Sequence, residues 1–122
     1  MLQRTRPSWL ALLDEGATSM WERWEGWDAD GLPYESHNDF SKGAVITFLH
    51  RHVAGIRPVV DGTGYRRFEI SPSLGGGLSS AKGRLETPHG EIISSWTLAG
   101  GIFRIRIVVP AGTTYKLTMP DG

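Results

Sequence analysis

Apolar positions recur at helical intervals in the first half of the chain and alternate in the second. From Ser41 to Gly55, the residues Ala44, Val45, Phe48, Leu49, His52 and Val53 return every three or four positions, and Gly55 and Pro58 follow the last turn. That spacing predicts a helix over 41–55 that buries a broad face. A shorter run of helix formers, 7–15, has Pro7 near its start and meets Gly16 where helices commonly stop, which predicts a second, short helix. Between them, 21–34 shows no sustained period and ends in Asp, Gly and Pro punctuation. It reads as a loop loaded with aromatic rings and carboxylates.

Further on, 65–70 alternates, 92–98 does so less cleanly, and 102–109 sets Phe103, Ile105, Ile107 and Val109 on one face with Arg104 and Arg106 opposite. Gly100-Gly101 and Ala111-Gly112 are hairpin turn signals, and 115–119 alternates again before Pro120. The expectation is an α+β chain, with two or three N-terminal helices followed by about five antiparallel strands forming a β-sandwich of jelly-roll type.

Composition narrows the partners. The chain has 122 residues, 39% of them hydrophobic, enough for one core. Thirteen Lys and Arg balance thirteen Asp and Glu, so no global field attracts nucleic acid or an anionic membrane, and neither is expected as a partner. The charge is unevenly spread, formally −3 through Asp61 and +3 beyond it, which favours attraction between the halves. There is no cysteine, hence no disulfide framework or thiolate chemistry. The N-terminus lacks an apolar run of signal-peptide length, and a cytoplasmic location is expected for the chain as it stands.

Few residues carry candidate chemistry. In 21–25, Glu22 stands between Trp21 and Trp24, a pattern suited to sugar chemistry because indoles stack on pyranose faces and partly desolvate an acid. Composition alone favours the plainer reading, an Arg/Glu pair beside core tryptophans. A second candidate is 35–39, where Ser36 or Asn38 could equally serve as a helix cap. His50 and His52 would point about 200° apart on a helix and cannot share a metal ion; His52 reads as a hydrogen-bonded histidine on the helix face, and His89 as a turn residue. Gly75-Gly76-Gly77 lacks the Lys-Ser/Thr of a phosphate cradle and reads as a turn. Arg66, Arg67, Arg104 and Arg106 read as a solvated strand face. No metal and no cofactor are expected.

Taken in order, Gly16-Ala17-Thr18-Ser19-Met20-Trp21-Glu22-Arg23-Trp24, then Ser36-His37-Asn38-Asp39-Phe40-Ser41-Lys42-Gly43-Ala44-Val45, Ala54-Gly55-Ile56-Arg57-Pro58, Gly64-Tyr65 and 68–72 resemble the C-terminal end of bacterial α-L-rhamnosidases of glycoside hydrolase family 78. Gly75-Gly76-Gly77-Leu78 and 87–96 extend the resemblance over nearly the whole chain. It implies that 1–58 are the last helices and loops of an (α/α)₆ barrel and 59–122 an antiparallel β-sandwich domain. The family cleaves terminal α-linked L-rhamnose with inversion, so the implied partner is an L-rhamnose-containing glycoside. By resemblance, Glu22 is the general base that activates water, while Trp21, Trp24, His37 and Asn38 contact the sugar. The general acid belongs to an earlier part of the family's barrel, and the chain alone is expected to be inactive. One departure stands out: many relatives have His after the Asn of the Ser-x-Asn-His segment, and this chain has Asp39, with His37 two residues earlier. Other readings are a small carbohydrate-binding sandwich using Trp21, Trp24 and Trp27, or a homo-oligomer that buries the apolar helix face.

Overall fold

The structure, a computed structural model, describes residues 6–120. It divides into two compact units, 1–45 and 46–122.

The first unit contains α1, Trp9–Asp14. Ser8 caps it, its Oγ accepting from the Ala11 N–H at 3.1 Å. The helix stops at Gly16, whose φ of +84° admits a left-handed turn that few side chains tolerate. The N–H of Gly16 bonds the Leu13 carbonyl and that of Ala17 the Leu12 carbonyl, which satisfies the last turn in the Schellman manner. Ala11 and Leu12 are buried. The rest of the unit is loop, as the lack of period over 21–34 predicts, closed by a single antiparallel bridge between Trp27 and Pro33. Ser41–Gly43 forms one 3₁₀ turn.

The chain then runs through α2, Ala44–Phe48, into a π-helical turn, Leu49–Val53, closed by the Ala54 N–H on the Leu49 carbonyl at 2.8 Å. No residue of either segment is buried, and Phe48 is 52% exposed. This corrects the expectation that the helix buries a broad face. The periodic stripe is present, but nothing in these residues covers it. His52 is likewise exposed and stacks on Phe48 at 5.3 Å, in place of the ring hydrogen bond expected.

The second unit holds two three-stranded sheets. One comprises β1, Ile56–Pro58, β2, Arg67–Ile70, and β6, Thr114–Leu117, in the order β1-β2-β6. The other is a meander of β3, Ser80–Thr87, β4, Gly90–Ala99, and β5, Ile102–Val108. All pairings are antiparallel except β2 with β6, which is parallel. Alternation sorts the faces: Ile92, Ser94 and Trp96 of β4 point inward and are buried, opposite Leu85, Gly83 and Ala81 of β3. The core gathers Ala54, Ile56, Phe68, Ile70 and Ile92, drawn from both sheets, which makes the unit a sandwich.

Gly83 shows how tightly the chain entering β1 crosses the meander. A Cβ there would stand 2.4 Å from the Ala54 Cβ, so only glycine fits. Two buried donors stitch the crossing: Ser94 Oγ to the Ala54 carbonyl at 2.6 Å, and Trp96 Nε1 to the Val53 carbonyl at 2.7 Å. Among the described residues, no helix is long and apolar enough to cross a membrane.

Candidate functional site

The loops of the first unit fold back so that 21–23 lie beside 35–36. The Glu22 N–H donates to the Ser36 carbonyl at 2.7 Å, and the Ser36 N–H returns to Glu22 Oε2 at 3.2 Å. Alongside, Arg23 grips Glu35 with a guanidinium fork, Nε to Oε2 at 2.9 Å and Nη2 to Oε1 at 3.1 Å. Glu35 adopts a left-handed backbone, φ +61°, unusual for a residue with a Cβ. Its conformation turns the next N–H, that of Ser36, onto the Glu22 carboxylate. Lys42 closes the other side, its Nζ donating to the carbonyls of Trp21, at 2.9 Å, and of Glu22, while lying 4.8 Å from the Trp24 ring centroid.

Electrostatics separates the carboxylates. Hydrogen bonding to Arg23, and the charge of that guanidinium, hold Glu35 below the usual glutamate range against the opposing effect of partial desolvation. Asp39 is also held below the usual range, chiefly by the Ser41 hydroxyl and backbone N–H. Both are therefore ionised near neutrality and unsuited to donate a proton to a leaving group. Glu22 itself is exposed.

The ring cluster behind the carboxylate is built on Trp21, 3% exposed. His37 stacks on it at 4.3 Å, and Trp27 meets both rings edge-on, at 5.9 Å from Trp21 and 4.9 Å from His37. His37 Nε2 donates to the Gly26 carbonyl, which also accepts from the Tyr34 N–H at 2.8 Å. Trp24 is half-buried, with Trp9 edge-on at 5.2 Å. Among the described residues, no group of three or more His, Cys, Asp or Glu is placed to hold a metal ion.

The family described as bacterial alpha-L-rhamnosidase C-terminal domain matches residues 55–122, and that described as bacterial alpha-L-rhamnosidase 6 hairpin glycosidase domain matches residues 1–53. The chain belongs to the bacterial α-L-rhamnosidase family. It is 33% identical over 124 residues to an α-L-rhamnosidase of Formosa agariphila and 35% identical over 122 residues to one of Streptomyces avermitilis. These alignments cover 98% and 97% of this chain, which spans 13% and 12% of those relatives' lengths. Among solved structures, it is similar to the Streptomyces avermitilis α-L-rhamnosidase complexed with L-rhamnose, with a TM-score of 0.78 and 35% identity over 94% of this chain and 11% of that one. The native α-L-rhamnosidase of Aspergillus terreus matches with a TM-score of 0.83 and 31% identity, covering 98% of this chain and 14% of that one.

Of the site residues expected for a rhamnosidase, the fold brings Trp21, Glu22, Trp24 and His37 into one loop cluster. Asn38 is exposed beside it, its backbone N–H on Ser36 Oγ at 3.0 Å. Trp21 is 3% exposed, with His37 stacked on one ring face and Gly26 against the ring. Within these residues it anchors the loop. Glu35 falls within the candidate stretch 35–39, but neither its pairing with Arg23 nor the bonds of Lys42 to the Trp21 and Glu22 carbonyls can be read from the sequence. Their partners lie 12 to 21 residues away, and no periodicity links them.

Proposed function

We propose that this chain supplies the water-activating side of an inverting α-L-rhamnosidase site, with Glu22 as general base, residues 1–58 closing an (α/α)₆ barrel and 59–122 forming a sandwich that braces it. The observation that carries the reading is the two-way Glu22–Ser36 bond, which fixes an exposed carboxylate at the rim of an aromatic cluster. A carboxylate so held can accept a proton from water as it attacks the anomeric carbon from the face opposite the leaving group. Inversion also needs a protonated carboxyl about 6.5–9.5 Å across the sugar. Arg23 and Ser41 keep the nearby Glu35 and Asp39 ionised, so neither takes that role, and the acid is assigned to a part of the enzyme beyond these 122 residues. L-rhamnose as substrate follows from the relatives' names and from the sugar bound in the Streptomyces structure.

The test grafts this chain onto the Streptomyces avermitilis enzyme in place of its matching segment and follows p-nitrophenyl α-L-rhamnoside hydrolysis. Glu22→Gln should lower kcat by about 10²–10⁴-fold, the usual contribution of a general base. Azide, which attacks without needing its proton removed, should restore turnover and yield the inverted rhamnosyl azide. An active graft whose Glu22→Gln form keeps its kcat ends the assignment. Incubated by itself, the chain should not turn the substrate over, and turnover would place the acid within it.

A further inference from the structure

The outer face of the β3-β4-β5 sheet carries an arrangement of charge that the glycosidase reading leaves unused. Ser95 of β4 stands between Lys82 of β3 and Arg106 of β5, and Thr97, the next outward residue of β4, pairs with Arg104 of β5. Lys82, Arg104 and Arg106 are exposed, and among the described residues none forms an ion pair. Further along the same face the situation reverses, since Arg84 is bound by both Glu86 and Glu91. One end of the sheet is thus neutralised and the other presents three bare cations around two hydroxyls. Residues 46–122 carry nine basic and five acidic side chains, a net +4 within a neutral chain, so the attraction is local to this unit.

We propose that this face binds an acidic polysaccharide, a glycan chain bearing uronate carboxylates. Guanidinium forks match planar carboxylates in two-point pairs, as Arg23 does with Glu35 in this same chain. Ser95 and Thr97 hydroxyls, which both donate and accept, suit the sugar hydroxyls between successive carboxylates. The rows of outward side chains along the ladder accommodate an extended chain. No aromatic ring stands among the cations, so neither a neutral sugar nor a single-stranded nucleic acid finds a stacking platform there. Nor does the broad face of a three-stranded sheet enter a duplex groove, which admits a helix or a two-stranded ribbon. The choice of a glycan among anionic polymers rests on membership of a glycosidase family; the site itself is independent of Glu22.

Electrophoresis of the 122-residue chain through gels containing polygalacturonate, with dextran as the neutral control, tests this. Polygalacturonate should retard the chain, dextran should not, and the retardation should weaken as salt rises towards about 0.15 M. Replacing Lys82, Arg104 and Arg106 together by Gln, which keeps the stems and an unchanged far-UV circular dichroism, should raise the apparent Kd about tenfold, as expected for three exposed ion pairs. A matched control, Arg51→Gln, Arg66→Gln and Lys116→Gln, removes the same charge from exposed positions off this sheet and should bind like the unmodified chain. The proposal is overturned if polygalacturonate leaves the unmodified chain unretarded, if both triple variants weaken equally, or if duplex DNA retards the chain as strongly as the uronan.

Discussion

Where residues 46–120 place their backbone donors in two sheets and bury Ile56, Phe68, Ile70, Ile92 and Trp96 almost completely, residues 6–45 have one six-residue helix and one isolated bridge. In that first region, order comes from side chains. Lys42 ties two carbonyls, Arg23 clamps Glu35, and His37 stacks on Trp21 and is bonded to Gly26. The difference teaches how precision is divided in this chain. Ladders repeat one bond many times and tolerate the loss of any single side chain on the outer face. A loop held by unlike contacts can aim a carboxylate such as Glu22, but each contact is then individually necessary.

The largest expected effect tests the ladder side at its buried crossing. Trp96→Ala removes an indole that is 1% exposed and orphans the Val53 carbonyl, which should cost about 3–5 kcal/mol in chemical denaturation followed by far-UV circular dichroism. Trp96 is the one tryptophan in the second unit, so indole emission in this variant reports Trp9, Trp21, Trp24 and Trp27 alone. Emission should keep its midpoint while the dichroism midpoint falls. Equal shifts in both would sink the distinction between the regions.

Next in size is a pair of glycine replacements in the loop region. Gly26 and Gly16 both have left-handed backbones, φ +66° and +84°, and alanine there costs about 1–2 kcal/mol on that ground alone. A Cβ on Gly16 meets nothing within 4 Å, whereas one on Gly26 would lie 2.1 Å from Trp21 Cζ3. Gly26→Ala should therefore cost about 1–3 kcal/mol more than Gly16→Ala and displace Trp21 and with it His37. Equal losses by emission-monitored denaturation would mean that the ring cluster yields freely and does not fix the loop.

How much of this could be read from the sequence follows the same division. The alternation of 102–109, the Gly100-Gly101 turn and the aperiodic 21–34 each declare their structure locally, and the structure agrees. Strand β3 leaves no clear alternation because its inward positions are Ala81, Gly83 and Leu85, and the passage of Ala54 leaves no room for a larger residue at the middle one. The stripe over 44–53 identified an apolar face correctly, but periodicity says which side is apolar and not whether a partner lies within the same residues. At the site, Glu22 is marked in the sequence by its place between Trp21 and Trp24, and the resemblance adds the role expected of it. The residues that aim it, Glu35 and Lys42, act across long separations through a strained φ and a flexible amine, and neither leaves a periodic trace.

Lys42→Met should have a smaller effect than Gly26→Ala. Methionine keeps the stem but drops the ammonium that binds the Trp21 and Glu22 carbonyls, which at a half-buried position should cost about 1–2 kcal/mol. Amide hydrogen exchange at Glu22 and Ser36 should accelerate while exchange along β4 stays unchanged. Acceleration along β4 would show that the loop contacts also support the ladder.

The smallest effect is electrostatic and separates the clamp from its surroundings. Arg23 depresses the Glu35 pKa, so the folded state binds the Glu35 proton less readily than the unfolded chain does. Stability from this pair is present above the ordinary glutamate pKa and is lost as pH falls through the depressed one. Asp39, depressed by Ser41, behaves in the same sense through a lower window set by the aspartate range. Both side chains meet solvent, so the signature belongs in the titration of the carboxyl carbons and not in a melting curve. In carbon-13 spectra, Arg23→Gln should raise the Glu35 titration midpoint towards the ordinary value and leave Asp39 where it is, whereas Ser41→Ala should raise Asp39 alone. If Arg23→Gln moved neither carboxyl, the fork would be an incidental surface pair, and the left-handed turn at Glu35 would have to hold Ser36 against Glu22 without it.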